Sequence, residues 1–158
     1  MLFFDPYQKS GIEKTFDIKR VNNLSELISQ SDIVSINTPL TNETKGMVNF
    51  EFISKMKDAS FLVNLSRGPI IENKYLIKDA LTSGKLSGYG TDVWIDEPPK
   101  NDDQLYRDWL KNEDYTSRIL ITPHTAYYSE EALFECRNNT ALNCLNYIQG
   151  KEVQNRII

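Results

Sequence analysis

The chain has 158 residues, of which 40% are hydrophobic and 25% are charged, a balance that suits one globular domain with a buried core and excludes a disordered or fibrous segment. The net charge of −4, without a long basic run, argues against a nucleic-acid-binding surface. No apolar stretch approaches membrane-spanning length and no basic region precedes an apolar core at the amino terminus, so we predict a cytoplasmic protein.

Apolar runs of strand length alternate along the chain with segments of helical period. Strands are predicted over residues 1–4, 19–21, 32–37, 60–65, 86–94 and 119–121. Helices are predicted over residues 23–30, 50–56, 72–82 and 102–114, with a last helix that Ser129 caps and that ends at Gly150. This alternation predicts an α/β fold, with a mostly parallel sheet and helices on both faces.

Three segments carry further expectations about burial. Residues 32–37 alternate little between apolar and polar side chains, which favours a strand buried on both faces. Residues 102–114 are polar with one apolar edge, which predicts a docked surface helix followed by a loop. Cys136 and Cys144 lie eight residues apart in the last helix, too far for a disulfide, so we expect them to pack as small apolar residues in a reducing compartment.

The only histidine of the chain lies at a predicted strand end. Pro123 stops the preceding apolar run, because proline supplies no N–H for the next ladder bond. In an open parallel sheet the carboxyl ends of the strands form the crevice where ligands bind. His124 is therefore a candidate for chemistry, and the alternative is a structural or solvated histidine.

Two further strand exits carry charged residues. Arg67 precedes Gly68, which lets backbone approach a ligand, and its planar guanidinium suits a carboxylate; the alternative is a surface ion pair. Glu97 precedes a proline, which restricts where its carboxylate can point. Arginine, glutamate and histidine, each at a strand exit, form a candidate catalytic set.

Three separated motifs resemble those of one enzyme family. The motifs are N-x-x-R-G at 64–68, D-V-x-x-x-E-P at 92–98 and T-P-H-x-A at 122–126, and in this order they resemble the D-isomer-specific 2-hydroxyacid dehydrogenases. The resemblance covers essentially the whole chain. Within the family, F-x-D-P-Y at 3–7 and T-P-H-x-A-x-Y-S-E at 122–130 look most similar to the branch of the C-terminal-binding-protein corepressors.

The resemblance implies reversible hydride transfer between NAD and a 2-oxo or 2-hydroxy acid. His124 would exchange the substrate proton, and Glu97 would fix the imidazole tautomer and raise its pKa. Arg67 would clamp the substrate carboxylate and polarise the carbonyl, and Tyr127 resembles a position of the substrate pocket. The sequence contains no cluster of metal-ligating residues, so we expect no metal site.

The same resemblance implies contacts with the cofactor. Asp5 would bind the adenosine ribose and favour NAD over its 2′-phosphorylated relative, or it is an ordinary turn-forming Asp-Pro. The loop after the strand at 32–37 would pass near the adenine and phosphates, or it is an ordinary polar loop. The implied positions are Thr38, Pro39 and Thr44 in that loop, Leu65 and Ser66 near the nicotinamide, and Asp92 at its carboxamide.

The chain contains no G-x-G-x-x-G phosphate-binding motif. We therefore expect a Rossmann-like sheet that lacks its first strand, glycine loop and first helix, which leaves two unpaired strand edges. Residues 1–150 are expected to form a partial NAD-binding domain and residues 151–158 a carboxyl-terminal tail. Without the glycine loop we expect weak NAD binding at best.

Three functions follow from these expectations. The first is the catalytic half of an NAD-dependent 2-hydroxyacid dehydrogenase, which we favour for the lineage. The second is an NAD(H)-gated interaction protein like the corepressors, and the third is an inactive fragment, which we favour for the isolated chain. We expect the full-length form to be a homodimer that acts on a small 2-oxo or 2-hydroxy acid and binds neither nucleic acid nor a membrane.

Overall fold

Strands and helices alternate along residues 1–155, the part of the chain that the computed structural model describes, apart from the side chain of residue 113. The strands are β1 (Leu2–Phe3), β2 (Lys19–Arg20), β3 (Ile33–Ile36), β4 (Ser60–Asn64), β5 (Leu86–Thr91) and β6 (Ile119–Ile121). The helices are α1 (Ile12–Thr15), α2 (Leu24–Gln30), α3 (Phe50–Lys55), α4 (Lys74–Thr82), α5 (Gln104–Lys111), α6 (Glu113–Arg118) and α7 (Glu130–Ile148).

Every strand pair among the described residues is parallel. β1 pairs with β2, and a separate sheet has the order β3-β4-β5-β6. This arrangement agrees with a Rossmann-like order in which no strand stands between β1 and β3. The predicted α/β fold with a mostly parallel sheet is confirmed.

The chain divides into two compact units, Met1–Pro123 and His124–Ile158. The first contains both sheets and α1 to α6, and the second contains α7. In the second unit the side chain of Asn143 accepts the N–H of Gln154 and donates to its carbonyl, both at 3.2 Å, which ties the residues after the helix to α7. The predicted tail begins in this segment, and its residues 156–158 lie outside the described part of the chain.

One face of the four-stranded sheet forms the core of the first unit. Val34, Leu62 and Ile119 lie on this face and are 3%, 0% and 4% exposed. Burial of one such side chain contributes about 1.5–3 kcal/mol to folding. The helices supply the apolar side chains that complete the cluster: Ile28 from α2, Phe52 and Ile53 from α3, Leu76, Ile77 and Leu81 from α4, and Leu105 from α5.

The opposite face of this sheet keeps several apolar side chains in solvent. Ile33 lies beside Phe61 across β3 and β4, and Leu120 follows on β6. These three side chains are 64%, 46% and 69% exposed. The prediction that residues 32–37 are buried on both faces is therefore wrong, because successive strand residues point to opposite faces and only one face is covered here.

The helix cap predicted at Asn22 or Asn23 is Asn23, and the cap predicted at Ser129 is confirmed. The side chain of Asn23 accepts the N–H of Glu26 at 2.8 Å, and the hydroxyl of Ser129 accepts the N–H of Ala132 at 3.1 Å. Each bond satisfies one of the amides that a helix leaves unpaired in its first turn. Among the described residues no helix has both the length and the apolar character needed to cross a membrane.

The loop expected after the helix at 102–114 is instead a further helix, α6. The side chain of Asn112 accepts the N–H of Asp114 at 3.0 Å, which caps a new helix immediately after α5. The hydroxyl of Thr116 donates to the carbonyl of Trp109 at 2.6 Å and fixes the corner between the two helices. The cap was visible in the sequence as an asparagine directly before the new helix.

The expected packing of the two cysteines is wrong. Cys136 and Cys144 are free thiols, as their spacing predicted, but both are exposed. No described residue of α7 is buried, because the helix belongs to a unit without a core of its own. The helical period of these residues therefore did not predict the exposure of the two thiols.

Candidate active site

The parallel strands bring their carboxyl ends to one edge of the four-stranded sheet. Pairing continues one step beyond the strands: the N–H of Leu65 donates to the carbonyl of Ile36 at 3.3 Å, and that of Asp92 to the carbonyl of Asn64 at 3.1 Å. The residues that follow neighbouring strands therefore stand side by side. The residues of the predicted site that lie at this edge are Thr38, Leu65, Ser66, Arg67 and Asp92.

The turn that carries Arg67 is closed by a buried amide. Asn64, which is 0% exposed, donates its Nδ2 to the carbonyl of Arg67 and accepts the N–H of Ser66 with its Oδ1, both at 3.1 Å. The hydroxyl of Ser66 donates to the carbonyl of Thr38 and joins this turn to the exit of β3. Arg67 is exposed as a residue, and its Nη1 donates to the carbonyl of Ser66 at 2.7 Å, so the guanidinium is held against its own turn.

Gly68 brings this turn against the segment that follows β5. A Cβ at Gly68 would lie 1.8 Å from the carbonyl oxygen of Trp94 and 2.1 Å from its carbonyl carbon. Any residue but glycine would therefore collide with backbone. The glycine after Arg67 serves the packing of two loops of this chain, whereas the sequence suggested close approach to a ligand.

Glu97 is held by the same segment. Its Oε1 accepts the backbone N–H of Trp94 at 2.7 Å, a charge-assisted hydrogen bond. The Glu97–Pro98 peptide bond is cis. The carboxylate is thus restrained, as its place before proline predicted, and the Trp94 amide supplies that restraint.

Asp92 is a buried carboxylate at the sheet edge. It is 3% exposed, and its Oδ1 accepts the hydroxyl of Thr122 at 2.5 Å. The N–H of Thr122 donates in turn to the carbonyl of Thr91 at 3.0 Å. Asp92 is therefore bound to the first residue after β6 within the first unit.

Asp5 lies at the end of β1, in the other sheet. Its Oδ1 accepts the N–H of Tyr7 at 2.9 Å, the bond expected of a turn-forming aspartate. Arg20 donates to the carbonyls of Asp5, Gln8 and Lys9 at 3.1, 3.2 and 2.9 Å and so holds the whole turn. The turn-forming interpretation is correct for the backbone, and the half-buried carboxylate still stands at the strand end.

The loop at 38–44 closes on itself through Thr44. The hydroxyl of Thr44 donates to the carbonyl of Pro39 at 2.6 Å and accepts the N–H of Thr41 at 2.8 Å. Tyr7 donates its hydroxyl to Glu43 at 2.5 Å, and this hydrogen bond raises the tyrosine pKa. The turn of Asp5 and the loop of Thr44 are therefore joined across the two sheets.

The second unit contains His124 and Tyr127. His124 is half-buried, and its backbone has φ +54°, in the left-handed region that residues with a Cβ rarely adopt. Such conformations cluster at functional sites. Tyr127 and Tyr128 are each 62% exposed, and their ring centroids lie 6.4 Å apart.

Sequence reasoning missed a buried ionic group behind the Glu97 segment. Asp103 is 2% exposed and accepts the indole Nε1–H of Trp94 at 2.9 Å, the Nζ of Lys74 at 3.1 Å and the N–H of Tyr106 at 3.2 Å. Burial opposes its ionisation, but these donors together hold the pKa of Asp103 below its usual value. The available signal was an aspartate directly before an amphipathic helix, which is a typical N-cap.

Comparison with known proteins places this chain in a family. The sequence model of the D-isomer specific 2-hydroxyacid dehydrogenase NAD binding domain matches residues 1–126. The chain is 39% identical over 153 residues to a formate dehydrogenase of Neurospora crassa, covering 96% of this chain and 40% of that protein. It is 37% identical over 153 residues to a hydroxypyruvate reductase of Blautia hydrogenotrophica, covering 97% of this chain and 44% of that protein.

A solved structure agrees with these relatives. The D-lactate dehydrogenase of Aquifex aeolicus, complexed with NAD and lactic acid, superposes with a TM-score of 0.79 at 31% identity, over 94% of this chain and 46% of that one. The chain thus spans less than half the length of each of these proteins. The predicted cofactor, NAD, is confirmed for the domain by the matching family model. The chain belongs to the D-isomer specific 2-hydroxyacid dehydrogenase family and corresponds to the family's NAD-binding domain.

Proposed function

We propose that the protein catalyses reversible hydride transfer between NAD and the C2 carbon of a small 2-hydroxy or 2-oxo acid. The observation that carries this proposal is the pair of interlocked turns at the sheet edge. One turn carries Arg67, whose backbone carbonyl is fixed by Asn64, and the other restrains the carboxylate of Glu97 on the Trp94 amide. A cation for a substrate carboxylate and an anion to support an imidazole are the two charges that this chemistry needs.

The residues at the strand ends suit the cofactor. Asp5 offers a half-buried carboxylate at the end of β1, where the ribose hydroxyls of a dinucleotide would donate. Asp92 offers a buried carboxylate, already bound to the Thr122 hydroxyl, that can accept from the nicotinamide carboxamide. We also assign Thr38, Pro39 and Thr44 to the adenine and phosphate side, and Leu65 and Ser66 to the backbone that faces the nicotinamide.

When bound, NAD accepts or supplies the hydride. The chain's own residues bind and orient the acid and move one proton. Arg67 would hold the carboxylate as a fork of two N–H donors and polarise the carbonyl at C2. His124 would give a proton to the carbonyl oxygen on reduction and take it from the hydroxyl on oxidation, because an imidazole titrates near neutral pH. Glu97 would favour the protonated imidazole, and Tyr127 would line the substrate pocket.

The test is NADH oxidation by the purified full-length protein with pyruvate, hydroxypyruvate and glyoxylate as 2-oxo acids, and NAD reduction with formate as the competing substrate class. We expect turnover with at least one 2-oxo acid. His124→Gln should lower kcat at least about 100-fold, as loss of a general acid does. Arg67→Gln should raise KM for the acid, whereas Arg107→Gln, a surface arginine that donates to Gln104, should leave both constants unchanged.

The outcomes separate the three functions predicted from the sequence. Full turnover by His124→Gln would refute the proposed mechanism. NADH binding without turnover, combined with NADH-dependent binding of a short peptide, would favour the corepressor-like function. If the isolated chain does not bind NADH and does not unfold cooperatively, it is an inactive fragment.

We further propose a cytoplasmic homodimer that contacts no nucleic acid. The free thiols of Cys136 and Cys144 suit a reducing compartment, and the net charge of −4 suits a protein that avoids polyanions. Sedimentation equilibrium of the purified protein tests the dimer, because a single species of monomer mass would exclude it.

A further inference from the structure

The first unit contains a buried network behind the Glu97 turn whose centre is Trp94. This residue is 7% exposed and makes three different contacts. Its carbonyl oxygen lies against Gly68, its backbone N–H donates to Glu97 at 2.7 Å, and its indole Nε1–H donates to Asp103 at 2.9 Å. Trp94 therefore connects the turn of Arg67, the carboxylate of Glu97 and the start of α5.

We infer that Trp94 and Asp103 are positioning residues for Glu97: the Asp103 carboxylate anchors the Trp94 indole, and the anchored Trp94 backbone holds the Glu97 carboxylate at a fixed place beside the Arg67 turn. This inference rests on the proposed function for the role of Glu97, and on the geometry of the first unit for the clamp itself. We call the three residues Lys74, Trp94 and Asp103 the tryptophan clamp.

The anchor is stronger than an ordinary hydrogen bond because Asp103 is charged and buried. Its carboxylate also accepts Lys74 at 3.1 Å and caps α5 through the N–H of Tyr106 at 3.2 Å. The hydrogen bond to Asp103 raises the pKa of Lys74 and burial lowers it, and the net effect is a raised pKa. The aspartate is therefore fixed from three directions, which leaves the indole one position to occupy.

Packing restricts the same indole. The ring of Tyr106 meets Trp94 edge-on, with centroids 6.2 Å apart, and Gly68 closes against the Trp94 carbonyl. A restrained donor matters because a carboxylate displaced by about 1 Å from its working position can cost on the order of 100-fold in rate. The clamp thus gives a structural role to Trp94, which stands at an unspecified position of the D-V-x-x-x-E-P motif, and to Lys74 and Asp103, which lie outside the three family motifs.

The chain offers a matched control for a test of the clamp. Trp109 also donates an indole bond, from Nε1 to the carbonyl of Ile119 at 3.1 Å, and stacks on Tyr106 with centroids 5.9 Å apart. Trp94→Phe and Trp109→Phe therefore remove the same kind of bond and the same ring volume. Only the first removes the anchor behind Glu97.

The primary readout is the pKa of the Glu97 carboxyl, measured by ¹³C NMR titration of protein labelled at glutamate and assigned with Glu97→Gln. Loosening the Trp94 N–H bond should raise this pKa by about half a unit or more, because hydrogen bonds to the charged form lower it. Trp109→Phe should leave it unchanged. This readout needs no turnover, so it decides on the clamp even if the proposed reaction fails.

The second readout is kinetic, in the active protein. Trp94→Phe should lower kcat about tenfold or more and shift the pH profile of kcat, with KM for NADH within about twofold of wild type. If Trp94→Phe does not fold, Asp103→Asn replaces it, because the amide keeps the size of the side chain and its Oδ1 can still cap α5. A Glu97 pKa that is equal in the variant and in Trp109→Phe would overturn the inference.

Discussion

The contact between Gly68 and Trp94 gives the sharpest stability prediction. In Gly68→Ala the new Cβ would start 1.8 Å from the Trp94 carbonyl oxygen and 2.5 Å from the Ile95 nitrogen. The two backbones would have to separate by about 1.5 Å to reach van der Waals distance. No rotamer change can relieve the clash, since every close atom belongs to the main chain.

Two effects of the substitution oppose each other. Alanine reduces the entropy of the unfolded chain, which stabilises a protein by about 0.4–1 kcal/mol where the native backbone accepts it. Overpacking costs about 1–3 kcal/mol, and a clash with backbone belongs at the upper end. We therefore expect the free energy of unfolding to fall by about 2 kcal/mol or more.

Urea unfolding followed by circular dichroism measures this change. With a slope of about 2 kcal/mol per molar urea, the midpoint of Gly68→Ala should fall by about 1 M. The control is Gly90→Ala, whose Cβ would meet both Val63 methyl groups at 3.7 Å, an ordinary contact. A Gly68→Ala midpoint equal to that of Gly90→Ala would refute the close approach of the two loops.

Three further predictions concern stability. Leu62→Ala removes a side chain that is 0% exposed at the centre of β4 and should cost about 2–5 kcal/mol in the free energy of unfolding, measured in urea. Asn73→Ala removes the side-chain acceptor of the Leu76 N–H at 3.0 Å and should cost about 1 kcal/mol by the same assay, whereas an unchanged midpoint would exclude a role for this cap. Because the folded pKa of Asp103 lies below its ordinary value of 3.8, its contribution is present above that pH and is lost as the pH falls through the folded pKa. At pH values below about 4, the urea midpoint of the wild type should therefore fall more steeply with decreasing pH than that of Asp103→Asn.

Local sequence signals were enough to predict the order of most elements and the places where chemistry could occur. Apolar runs of strand length and asparagine or serine caps gave the strands and most helices, because these signals are local and depend on neighbouring residues only. The strand end before Arg67 followed from the same signals, whereas β5 ends at Thr91 and not at Trp94 as predicted, so Asp92 follows the strand. Both residues come to one edge because a parallel sheet sends all its carboxyl ends there. The motifs around them were sufficient to predict the family.

Tertiary structure decided which faces are covered and which distant segments meet. The sequence predicted burial of β3 on both faces, whereas Ile33 is 64% exposed, because the residues of a strand do not say what lies against each face. It likewise could not show that Gly68 meets Trp94 or that Lys74 pairs with Asp103 across 29 residues. Such contacts depend on the crossover connections that bring β4, α4 and β5 together, and no local pattern encodes the resulting distance.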